Sequence, residues 1–127
     1  MREDYNVTII NTMKELTAKE RIRVKKANTT AIKLDEVTDG ENSFVIENVD
    51  NFACLKVHND HAENPDYEVL VIFSGDKAYS TGSTAFANSF LDIVDEMKDE
   101  QGEWGIECFK IPSRNYKGKF ILTCNII

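Results

Sequence analysis

One sustained helical period runs through the chain. Phe86, Phe90, Ile93, Val94 and Met97 fall on a single stripe at helical spacing, while Asp92, Asp95, Glu96 and Asp99 lie largely off it. Ser83 supplies an N-cap, and Gly102 and Gly105 break the chain beyond. The pattern predicts a helix over 84–99, about 24 Å long. A second, short helix is expected over 12–19.

The remainder reads as strands. Residues 21–25 alternate strictly, which would put Arg21, Arg23 and Lys25 on one face and Ile22 and Val24 against a core. Residues 31–37 continue the alternation, with Ile32 and Leu34 inward and Lys33 outward. Weaker strands are expected at 43–46 and 52–57, followed by a loop over 59–66. Residues 69–73 form a continuous apolar run, consistent with a strand buried on both faces. A turn at Ser74-Gly75-Asp76 leads to a short strand over 78–81. Residues 106–111 and 119–126 close the chain as a hairpin.

With 127 residues the chain suits one domain, 1–127. Its 42% apolar and 29% charged residues argue for a real core rather than disorder throughout. Several strands, one helix and a final hairpin is the order of a small five-stranded Greek-key barrel of the OB type, whose helix lies between the third and fourth strands. The expected class is therefore mainly β, an OB-like β-barrel with one well-defined helix, although other small α+β domains share that order. Cys54, Cys108 and Cys124 form no CxxC pair, so neither a disulfide framework nor a cysteine zinc site is indicated. Cys108 and Cys124 sit among apolar neighbours, where a reduced cysteine acts as a small hydrophobe. No apolar run reaches the roughly 18 residues a bilayer requires, and residues 1–11 lack a signal-peptide apolar region. A cytoplasmic protein without a membrane partner is expected.

Charge is unevenly placed. Fifteen Lys and Arg against 22 Asp and Glu leave a net charge of −7, so the whole molecule is not a generic basic nucleic-acid binder. Locally the balance reverses. Residues 19–33 carry six bases and one acid; residues 110–119 carry four bases, and no acid follows Glu107. Residues 35–50 hold six acids and no base, and residues 92–107 hold seven acids against Lys98. Any single block reads as solvated surface; two basic blocks able to meet in space suggest more.

Catalytic motifs are missing. The chain contains no P-loop, G-x-G-x-x-G, G-x-S-x-G or H-E-x-x-H, and no histidine lies near Cys108 or Cys124 in sequence. His58-Asn59-Asp60-His61 is a weak metal pattern that reads better as exposed loop. Neither catalysis nor a cofactor is expected. The best functional candidate is the hairpin loop from Pro112 to Lys119. It combines Arg114, Lys117 and Lys119, which can neutralise phosphates, with Tyr116, which can stack on an exposed base. In an OB-type barrel that loop edges the oligonucleotide groove, and Arg21, Arg23, Lys25, Lys26 and Lys33 would line the same groove. Tyr79 would add stacking surface; Phe73 reads as core.

The second half of the chain resembles the small single-stranded-DNA-binding proteins of protein-primed, short-tailed phages of Gram-positive bacteria. The likeness rests on Val71-Ile72-Phe73 before a Gly/Asp turn, Tyr79-Ser80, Ser83 and the helix around Leu91-Asp92-Ile93-Val94-Asp95. It continues with the strand through residues 107–111, a Ser-containing loop, Lys117-Gly118 and a closing strand. It covers residues 69–127; the first half matches poorly. The resemblance implies non-specific binding of single-stranded DNA displaced during phage replication, with phage replication proteins as further partners, inside the bacterial host cell. It carries Tyr79, Lys117 and Lys119 over as DNA contacts. An alternative from another class is an acidic phage inhibitor, a DNA mimic whose carboxylates occupy a host protein's DNA site. A third is an assembly subunit with no ligand.

Overall fold

The computed structural model describes residues 5–39, 41–100, 102–115 and 117–127. Along the chain run β1 (Tyr5–Thr12), α1 (Ala18–Thr30), β2 (Ile32–Lys33), α2 (Leu34–Val37), β3 (Phe44–Ile46), β4 (Asn51–Asn59), β5 (Asp66–Ser74), β6 (Lys77–Thr81), α3 (Thr84–Met97), β7 (Ile106–Pro112) and β8 (Phe120–Ile126). They build two sheets. One is five-stranded in the order β1-β4-β5-β6-β2, antiparallel except for the β2–β6 pair; the other is three-stranded and antiparallel, β3-β7-β8.

The period-2 alternation of β4 and β5 sorts their side chains into two cores. Ala53, Leu55, Val57 and Val71 face α1 and pack with Val7, Val24 and Ala27. Phe52, Leu70 and Ile72 face the other way, against Phe86 and Phe90 of α3 and Ile106, Cys108, Leu122 and Cys124 of the small sheet. The large sheet is thus covered on both faces, which explains the unbroken apolar run of residues 69–73. Phe90 is the joint between the layers: its ring lies 5.4 Å from that of Phe52, 6.3 Å from Phe86 and 6.2 Å from Trp104.

Much of the expected outline holds. The strands over 43–46, 52–57, 69–73 and 78–81 are β3 to β6, the closing hairpin is β7–β8, and Ser83 caps α3 by accepting the Phe86 N–H at 3.2 Å. Four expectations fail. The two sheets do not close into a barrel, so mainly β is right and a closed Greek-key barrel is not. Residues 21–25 are helical. Thr17 and Glu20 form a reciprocal capping box, Thr17 Oγ1 accepting the Glu20 N–H at 3.2 Å and Glu20 Oε1 accepting the Thr17 N–H at 3.0 Å. In that helix Ile22 and Val24 stand about 200° apart, so Val24 is buried while Ile22 is 58% exposed. Finally, residues 31–37 supply only the two-residue β2 before turning into α2, and residues 12–19 form no helix of their own but hold the last residue of β1, a connection and the first two residues of α1.

Candidate functional site

Three clefts meet on one turn. The segment from Ser80 to Thr84 leaves β6 and enters α3, and each cleft uses part of it. The first, about 540 Å³, lies between α3 and the large sheet, with Cys54 and Leu70 on its floor and Gly82, Ser83 and Thr84 at its end. The second, about 600 Å³, is bounded by Asp35, Asp39, Ser83, Lys110, Phe120 and Ile121. The third, about 500 Å³, lies beside the C-terminal end of α1, where Tyr5, Asn28, Lys33, Asp35, Tyr67 and Thr81 line it. Thr81 and Gly82 are common to the first and third, Ser83 to the first and second, and Asp35 to the second and third.

Hydrogen bonds fix the junction. Thr81, 4% exposed, donates its hydroxyl to Asp35 Oδ2 at 3.2 Å and accepts the Ser83 N–H at 3.1 Å. Ser83 Oγ donates to the Leu122 carbonyl at 3.4 Å, tying α3 to β8. Lys110 Nζ donates to the Asp35 carbonyl at 3.0 Å and so bridges the small sheet to α2. Asp39 accepts the backbone N–H groups of Glu41 and Asn42, both at 2.7 Å. The Asn42 side chain, followed by those two N–H groups, holds the Asp39 carboxyl below the usual carboxylate range. Asn28 Nδ2 donates to the Tyr5 hydroxyl at 2.7 Å and orients that ring at the rim of the third cleft.

The basic residues singled out in the sequence distribute as follows. Lys33 is exposed and lines the third cleft. Arg21, Arg23, Lys25 and Lys26 are exposed on α1 rather than on a strand. Arg21 donates Nη1 to the Leu16 carbonyl at 2.8 Å, and Arg23 lines a separate small pocket with Asp50 and Phe73 at the other end of the helix. Arg114, Lys117 and Lys119 are exposed on the hairpin, which the Ser113 N–H to Lys119 carbonyl bond, 2.8 Å, closes just beyond Phe120. Tyr116 lies outside the described residues. Tyr79 is 6% exposed with its ring 5.2 Å from that of Phe44, so it belongs to the core and offers no face for stacking. The rings at the clefts are Tyr5, Tyr67 and the 52%-exposed Phe120. Sequence reasoning missed all three. Phe120 was legible only as one of an alternating strand, and Tyr5 belongs to a strand not anticipated.

His58 does not gather metal ligands. Its Nδ1 is 2.7 Å from Asp66 Oδ1 and its Nε2 2.8 Å from Asp60 Oδ1. Among the described residues no three His, Cys, Asp or Glu side chains group to hold a metal, and no helix is long and apolar enough to cross a membrane. Burial pushes the thiols of Cys108 and Cys124 up to about 12, which leaves them un-ionised at neutral pH. Asp92, Asp95 and Glu96 are exposed along the C-terminal half of α3, and Asp99 is exposed just beyond its end. Asp95 lies roughly 16 Å along the axis from Thr84. No family model, curated protein or solved structure matches the chain.

Proposed function

We propose that the protein binds single-stranded DNA without sequence preference, protecting strands displaced during phage replication. The path runs from the Lys33 cleft, over the turn at Thr81–Ser83, to the β7–β8 hairpin. The observation that carries this reading is the continuity of the clefts through Asp35 and Ser83, which links the end of the first basic block to the start of the second. Asp35 and Asp39 balance Lys33 and Lys110 at the junction, so the cationic excess lies on the hairpin, where Arg114, Lys117 and Lys119 have no acid after Glu107. Those cations suit phosphates, while Tyr5, Tyr67 and Phe120 present rings on which bases stack. The N-terminal dipole end of α3 at the junction favours the same anionic backbone. Net acidity does not oppose this, because the potential in a groove outweighs the sum over the surface. A closed OB barrel is not required; a cleft between sheet edge and hairpin supplies the same chemistry.

The test is binding of fluorescent oligo-dT at low and moderate salt, with duplex of equal length as control. The expected result is preference for the single strand, with a log–log salt slope near −0.7 per phosphate contacted. Lys33→Gln with Arg114→Gln and Lys117→Gln should weaken binding at least about tenfold, and a tenfold loss corresponds to about 1.4 kcal/mol. Lys77→Gln, at the opposite end of β6, should leave it unchanged. No binding at low salt by the folded protein overturns the reading. The exposed carboxylates of α3 favour a second reading, the inhibitor that mimics DNA. Asp92→Asn, Asp95→Asn, Glu96→Gln and Asp99→Asn together would then abolish retention of a host DNA-binding protein.

A further inference from the structure

The two sheets have four edges, and the fold covers or shortens three of them. β2 and β3 are two and three residues long. β8 is flanked by α3, through the Ser83 bond to the Leu122 carbonyl and the contact of Ser89 Oγ with Thr123 Oγ1 at 3.1 Å. β1 is different. It is eight residues long, and among the described residues no strand lies on its side away from β4. Tyr5-Asn6-Val7-Thr8-Ile9-Ile10-Asn11-Thr12 also contains no charged residue and no proline, in a chain of which 29% is charged. Exposed edges ordinarily carry such residues, or are very short, because their free N–H and C=O groups recruit other strands. A register shift between Ile9 and Asn11 interrupts the ladder at its far end, leaving Tyr5 to Ile9 regular.

We propose that β1 pairs with β1 of a second copy, antiparallel about a two-fold axis at Val7, joining two five-stranded sheets into one of ten. In a two-fold strand pair each segment faces itself, so a charge near the axis meets its own like charge. A strand without charges in a chain of net charge −7 suits that partner in particular. The Val7-centred register also matches side chains by kind. Tyr5 faces Ile9 of the second copy on the α1 side, where both are only half-buried in one copy. Asn6 faces Thr8 of the second copy on the other side, where both are exposed. A contact of about five residues per copy falls at the small, weak end of interfaces, so assembly is concentration-dependent. The proposal shares Tyr5 with the DNA path but rests on the edge of β1 alone, so it holds or fails whether or not DNA binds.

Sedimentation equilibrium of the full chain tests it, at chain concentrations from roughly 1 to 200 µM, the range a small interface calls for. The expected mass rises from 14.4 kDa towards twice that value. Asn6→Glu with Thr8→Glu sets acid against acid across the axis and should stay at 14.4 kDa throughout. Within one copy the Thr8 substitution faces Lys56, so the strand itself is not repelled. Asn6→Lys with Thr8→Glu sets base against acid across the axis and should associate at least as well as the parent, with far-UV circular dichroism confirming both folds. A parent chain that remains 14.4 kDa at the highest concentration overturns the proposal and leaves β1 to a strand of another protein. Equal association of the all-acid variant and the parent overturns it as well.

Discussion

His58 shows how much a single side chain near the end of a strand can report. Held between Asp66 and Asp60, its pKa is raised, chiefly by the hydrogen bond the ring makes to Asp66; desolvation opposes, and the bond to Asp60 and both carboxylate charges add to the rise. A group raised in the folded state stabilises fully below its unfolded value of about 6.5 and loses that contribution as pH rises through the higher folded value. Melting temperatures measured between pH 6 and 8 should therefore fall for the parent chain, and His58→Gln should flatten that part of the curve. An equal slope in both proteins would remove His58 from the explanation. The sequence reads this histidine as loop, whereas it stands in β4 directly opposite Asp66 of β5; that Asp66 is eight positions away also hides that both ring nitrogens are occupied. Gly105 is a comparable case. It read as a helix breaker, whereas its place is buried against the backbone carbonyls of Ile46 and Glu47, where any Cβ collides. Cys108 and Cys124 were legible from their neighbours, and burial does raise both thiols.

Two helices of similar length differ in how far they can be read from their own residues. α3 announces itself because its apolar positions repeat over four turns and its cap is local. α1 buries only Val24 and Ala27 among thirteen residues, so its stripe is nearly invisible and a five-residue alternation mimics a strand. What determines it is the Thr17–Glu20 capping box together with residues of good helix propensity, Ala, Lys, Glu and Arg. Thr17→Ala should lower stability by about 1 kcal/mol, read as a shift in the urea midpoint with unchanged slope. A helix held by packing alone would show no shift. The misreading mattered for the site, since it moved Arg21, Arg23, Lys25 and Lys26 from the floor of a groove to the outside of a helix.

At the scale of the molecule, Phe90 couples layers that no local pattern connects. Its ring meets β4 through Phe52 and the chain before β7 through Trp104. Phe90→Ala should cost about 3–5 kcal/mol and shift the emission of Trp104, the only tryptophan, before global unfolding. A stability loss with unchanged Trp104 emission would show that the layers are not coupled there. The chain's own residues determined the mainly β character, α3 and its cap, the closing hairpin, the burial of Cys108 and Cys124 and the two basic blocks. Each of these is written in neighbours a few positions apart, where period and capping act. Tertiary structure alone decided that two sheets stack instead of closing into a barrel, that Tyr79 is core while Tyr5, Tyr67 and Phe120 reach the clefts, and that Lys33 and Lys110 meet around Asp35. Those outcomes depend on which faces bury one another across long stretches of chain, and burial is a property of the packed whole rather than of any segment.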